Sequence, residues 1–157
     1  MTRLTMRQAR QLGILPGKKK VDQLKVRHSA VQWDAKTFPG GIWLQMPEIP
    51  PSLNVWKNWH WSKQGRYKKE LTEAIRGLAL AMKLPRYQRA TVQTVIYFPV
   101  HRVRDPSDNY NQKFLADALV RGGILEDDRG DWVRFEVPKL EVDKERPRVE
   151  VFIWERR

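Results

Sequence analysis

The 157-residue chain is predicted to adopt an α+β fold: one small mixed β-sheet packed by two main helices. Three observations predict it. Between Gly65 and Lys83, Tyr67, Leu71, Ile75, Leu78 and Met82 recur at helical spacing, which marks an amphipathic helix. The stretch "TVQTVIYF" alternates, with Val92, Thr94, Ile96 and Phe98 on one side, as a half-buried strand requires. Strand and helix patterns follow one another in the order β-α-β-α-β-β, the mark of helices segregated onto a mixed sheet.

The elements fall in order as follows. Residues 1–40 carry a net charge of +7 and form a basic N-terminal arm, partly disordered on its own; the domain proper spans 41–157. Within the arm "RQARQLGIL" suits a short helix, which "PGKKK" breaks. "GIWLQMPEI" is the first strand, ended by Pro50 and Pro51. The helix over 65–83 stops before Pro85, because a proline has no N–H to continue the ladder. After the 91–98 strand, a second helix runs from about Asp108 to Arg121, and Gly122-Gly123 ends it. "WVRFEV" and "RVEVFIW" are two strands, and the turn-rich "DKERP" between them suggests a hairpin.

Charge bounds the function. The chain has 30 Lys and Arg against 18 Asp and Glu, a formal net of +12, so a polyanionic partner is expected, nucleic acid first. No apolar run reaches the length of a membrane span, so no membrane partner is expected. The N-terminal residues lack the continuous apolar segment of a secretory signal. With no cysteine, thiolate chemistry, zinc fingers and disulfides are excluded.

Against this basic background, "RDPSDNYNQKFLADALVRGGILEDDRGD" gathers Asp105, Asp108, Asp117, Glu126, Asp127, Asp128 and Asp131 within residues 104–131. One reading makes them caps and solvated turns: Ser107 or Asp108 is a good helix N-cap, and Lys113 with Asp117 is an ordinary i,i+4 pair. The other makes them ligands, since crowded carboxylates repel unless a cation offsets them and Mg²⁺ prefers oxygen donors. Lys113 then faces phosphoryl oxygens from the same side of the helix as Asp117. A second stretch, "NVWKNWHWSKQGRYKK", interleaves Trp56, Trp59 and Trp61 with Lys57, His60, Lys63, Arg66 and Lys68. Flat rings among cations suit splayed bases and their phosphates, while at least one tryptophan is expected to plug the core. His60 is expected to be a surface or hydrogen-bonded residue.

Taken together, these residues resemble the RusA family of Holliday-junction resolvases. The family pattern is "D-x-D-N-x-x-K", then "D-A-L", a Gly and "D-D"; an upstream "P-P-S-x-N" is matched by "PPSLN" at 50–54. The resemblance covers about residues 42–155. It departs at two points: the acidic pair is D-x-x-D, and one more residue separates Asn109 from Lys113, leaving Asn109 and Asn111 both as candidates for the family asparagine.

The resemblance implies a RusA-like fold and a Mg²⁺-dependent endodeoxyribonuclease, with Mn²⁺ as a substitute and no small-molecule cofactor. Such an enzyme resolves four-way DNA junctions by paired hydrolysis in recombination and repair. Asp105, Asp108 and Asp128 would hold the metal with Asp127 in support, Asp117 would be a supporting acid, and Lys113 would stabilise the scissile phosphate. Lys57, Trp59, Lys63, Arg66, Lys68 and Arg104 would contact DNA. A homodimer, branched DNA as partner and a cytoplasmic location in a bacterium or phage-infected host are implied with it, as is a phage or prophage origin. The two insertions motivate an alternative, a catalytically degenerate branched-DNA-binding protein of the same fold.

Overall fold

The computed structural model describes residues 31–102 and 113–157; Asp105, Asp108, Arg104 and most of the basic arm lie outside them. The domain is α+β in the coarse sense predicted: one mixed sheet and few helices. The strands are β1 (Asp34–Phe38), β2 (Gly41–Met46), β3 (Ala90–Phe98), β4 (Val133–Phe135), β5 (Lys139–Val142) and β6 (Arg148–Glu155). The helices are α1 (Leu53–Trp56), α2 (Trp61–Ala81) and α3 (Lys113–Arg121). No helix among the described residues is long and apolar enough to cross a membrane.

The sheet runs β1-β2-β6-β3-β4, with β5 also on β3. Alternation decides which side each residue faces. Antiparallel register aligns Ile42, Ile153 and Val92 across three strands, then Leu44, Val151 and Thr94, then Met46, Val149 and Ile96. Every one of these nine is buried. Leu71 and Ile75 of α2, with Phe114, Leu115, Ala118 and Leu119 of α3, belong to the same core. Each large aliphatic side chain fully buried here contributes about 1.5–3 kcal/mol. The opposite face carries Trp43, Glu150, Phe152 and Trp154, held by polar contacts. The Trp43 indole N–H donates to Glu150 Oε1 at 2.8 Å, and Arg148 lies 3.9 Å from the Tyr97 ring centroid.

Three expectations are corrected. Asp34–Phe38, read from composition as arm, pair antiparallel with β2 through a turn in which Gly40 takes φ 82, so the strand series starts earlier. The α2 helix begins at Trp61, four residues before the glycine from which the periodic stripe was counted, because His60 caps it: His60 Nδ1 accepts the Ser62 N–H at 3.2 Å. The proposed hairpin of "WVRFEV" and "RVEVFIW" does not form. Instead β4 and β5 pair in parallel with one side of β3, and β6 pairs antiparallel with the other side. Pro138 lies in the gap between β4 and β5, where it cannot donate to the ladder, and Gln93 Nε2 bonds the Val137 carbonyl at 3.0 Å instead.

The β5–β6 connection must therefore cross the end of β3. Asp143 makes that crossing: its N–H donates to the Phe98 carbonyl at 2.8 Å, and its carboxylate accepts from Arg148 at 2.8 Å and from the Arg146 N–H at 3.0 Å. The Arg148 hydrogen bond, foremost, holds the Asp143 carboxyl below its ordinary value. A depressed folded-state pKa stabilises the fold above the unfolded value, and that contribution is lost as pH falls through the folded one. Carboxyl NMR should find Asp143 titrating below an unperturbed aspartate, and Arg148→Met should return it upward.

At the far end of α3, Gly123 takes φ 87, the left-handed cap expected of the Gly-Gly pair. Gly122 serves packing instead. A Cβ there would meet Ile75 Cγ2 at 2.6 Å and the Ala118 carbonyl oxygen at 2.7 Å, so α2 and α3 approach through this residue. Gly122→Ala should cost about 1–3 kcal/mol of stability in denaturant unfolding, the usual cost of overpacking.

Candidate functional site

The segment from Pro51 to Lys68 builds the site. Ser52 caps α1, its Oγ accepting the Val55 N–H at 3.4 Å. The short turn to α2 is held by Gln64, whose Nε2 bonds the carbonyls of Trp56 at 2.9 Å and Trp59 at 3.3 Å. These contacts fix where the tryptophans stand. Trp56 stacks on Phe114 of α3 with centroids 5.5 Å apart and planes at 29°. Tyr67 meets Trp56, Trp59 and Phe114 edge-on at 5.6, 5.8 and 5.6 Å. Four rings thus tie α1, α2 and α3 together, each pair contributing about 0.5–1.5 kcal/mol beyond its burial.

Cations surround the cluster. Lys63 Nζ lies 4.1 Å from the Trp59 ring centroid and Lys68 Nζ 5.7 Å from that of Trp56. The first turn of α2 holds no acidic residue, and the N-terminal end of the helix dipole adds positive potential to that of Lys63, Arg66, Lys68 and Lys69. Beside them opens a cavity of about 60 Å³, lined by Pro51, Leu53, Trp56, Lys68, Lys113 and Phe114. Its size suits a small group rather than a whole cofactor.

The structure places the sequence candidates unevenly. Lys113, Lys68 and Trp56 come together at the cavity. Trp59 is half-buried in the ring cluster, which is the structural role expected of at least one tryptophan; Lys57, Lys63 and Arg66 are exposed around it. His60 is the α2 cap. Asp117 lies on α3, half-buried, while Asp127 and Asp128 follow its far end. From Lys113 to Arg121 the helix rises about 12 Å, and the Asp127–Asp128 turn follows its C-terminal end along the chain. In that turn Asp127 Oδ1 accepts the Asp128 N–H at 2.7 Å, and the adjoining Glu126 N–H bonds Tyr87 at the foot of β3. Among the described residues no three His, Asp or Glu form a group able to hold a metal. Asp105, Asp108 and Arg104 lie outside the described residues. Sequence reasoning did not single out Phe114, Tyr67, Pro51 or Leu53. The first two were legible only as helix stripe residues, since nothing local says which ring will face another element.

No protein-family model and no curated protein matches the chain. Among solved structures, the periplasmic domain of Helicobacter pylori MotB (residues 78–256) matches at 12% identity and a TM-score of 0.41, over 80% of this chain and 83% of that one. A second periplasmic domain of MotB (residues 64–256) matches at 13% identity and a TM-score of 0.41, over 100% of this chain and 91% of that one. On this comparison the junction-resolving endonuclease is withdrawn, and with it the branched-DNA-binding alternative, the homodimer, the branched-DNA partner and the cytoplasmic location. What MotB does, and where, is not carried to this chain.

Proposed function

We propose that the domain is a binding module for an anionic ligand that carries a flat ring, with phosphate the favoured anion. The observation that carries this reading is the cavity itself: two lysines, Lys68 and Lys113, converge on a space walled by Trp56 and Phe114. An anion there gains charge-assisted hydrogen bonds, and an attached ring can lie against the exposed edge of the aromatic cluster. The excess of cations over the whole chain raises the local concentration of such a ligand.

Phenyl phosphate is the probe. It should bind saturably by calorimetry and more tightly than inorganic phosphate, since only the former uses the rings. Lys113→Ala and Lys68→Ala should each weaken it by about tenfold, in keeping with roughly 1.5–3 kcal/mol for a hydrogen bond to a charged group, reduced by exposure. Equal affinity in wild type and Lys113→Ala would remove the cavity from consideration.

The resemblance to the RusA family is retained as a proposal of descent alone, supported by "PPSLN" and by the spacing of Lys113, Asp117 and Asp128. Mg²⁺, with Mn²⁺ as substitute, is proposed as an accompanying ion of the motif carboxylates Asp105, Asp108, Asp127 and Asp128. Mg²⁺ keeps several waters and is held by one or two carboxylates with phosphate oxygens, so the exposed Asp128 beside Asp127 suits it without a third described acid. Titration with Mg²⁺ should move the Asp127 and Asp128 amide signals saturably, and Asp128→Asn should abolish the shift. Movement that tracks ionic strength alone would count against the ion.

A further inference from the structure

A second cavity, of about 130 Å³, lies on another side of α2 and has the opposite character. Its lining includes Trp33, Met46, Tyr67 and Leu71, with two carboxylates, Glu48 and Glu70. Tyr67, Glu70, Leu71 and Ala74 follow at helical spacing, so one stripe of α2 supplies most of this wall. Neither Glu48 nor Glu70 forms an ion pair among the described residues, in a chain with 30 Lys and Arg against 18 acids. Tyr67 stays protonated far above the ordinary tyrosine range, through burial first and then the nearby Glu48 charge. Its hydroxyl is therefore neutral, with the Glu48 charge nearby.

We propose that this cavity is a binding site for a guanidinium group. The carboxylates of Glu48 and Glu70 supply charge, and the rings of Trp33 and Tyr67 in the lining supply the quadrupole that attracts a flat organic cation. A divalent metal is the poorer fit. Mg²⁺ and Ca²⁺ need six or more oxygens, whereas Met46, Leu71 and Ala74 offer apolar surface. Guanidinium is weakly hydrated, planar and able to pair with a carboxylate while stacking on a ring, so it loses least on leaving water for such a wall. The volume accommodates the group and the first part of its alkyl stem. The same chemistry is presented by a free arginine derivative and by an arginine side chain of a protein.

Methylguanidinium is titrated into the full chain, with the Trp33 indole N–H followed by NMR against potassium at matched ionic strength. Saturable movement is expected, weakened by about tenfold in Glu48→Gln/Glu70→Gln, the loss of two exposed ion pairs. Both residues are exposed, and far-UV circular dichroism checks that the variant is folded. Comparing agmatine with Nα-acetyl-arginine methylamide then distinguishes the sources: preference for the first assigns a free ligand, for the second an arginine within a polypeptide. The proposal is overturned if methylguanidinium produces no saturable shift, if the double variant binds it as tightly as wild type, or if Mg²⁺ moves the same signal at lower concentration. Lys113→Ala should leave this binding unchanged, which separates it from the anion cavity.

Discussion

Two-sided pairing of β3 is the constraint on which the rest of the domain depends. All but one of its nine residues pair with β6 on one side, and the other side is shared between β4 and β5. A strand so enclosed leaves few backbone groups to satisfy elsewhere (at the gap, the Thr94 carbonyl accepts from Gln93 Nε2 at 2.9 Å), and its alternating side chains must then find cover above and below. One face finds it under α2 and α3. Parallel pairing with β4 in turn requires a long crossover, which α3 supplies, and so brings Phe114 and Lys113 over the sheet. The antiparallel β6 on the opposite side requires the chain to pass the end of β3, where the Asp143–Arg148 pair holds it. The cavity at Trp56 is thus a product of topology as much as of local sequence.

The long helix α2 divides the electrostatics of the surface. One stripe presents Lys63, Arg66 and Lys68 toward the ring cluster; another presents Glu70 beside Glu48. Tyr67 stands between them, its ring edge-on to Trp56, Trp59 and Phe114 and the Glu48 charge near its hydroxyl. A single side chain therefore lines the second cavity and packs against Trp56 and Phe114, which line the first. The ring is packed against three neighbours, which limits its freedom to move.

The periodic elements were legible in the sequence because their signal is their own burial. The alternation of β3 and the stripe of α2 could be read directly, and so could the Gly122-Gly123 stop, where backbone conformation depends on the residue itself. What could not be read was pairing. β4 and β5 are three and four residues long, and whether they join β6 or β3 depends on contacts distant in sequence. β1 was concealed by the charge of its neighbours, since only Ala35 of its five residues is buried. At the candidate site the interleaved Trp and Lys residues announced a surface of rings and cations. Phe114, which completes it, carried only the mark of a core residue. The acidic stretch was read through the spacing of a motif, and spacing along the chain does not by itself fix which side chains share a site.

The interruption at Pro138 has a consequence for how the protein meets other copies of itself in crowded solution. A sheet border offers unpaired backbone groups on which any extended chain can crystallise, and long uninterrupted borders seed fibres. Here the border beside β3 is cut into pieces of three and four residues, with charged Arg134, Glu136, Lys139 and Glu141 spaced along it. An incoming strand would lose register after one or two pairs of bonds and would bring its own side chains against alternating charge. The proline that shortens these strands therefore also makes the border a poor template for growth.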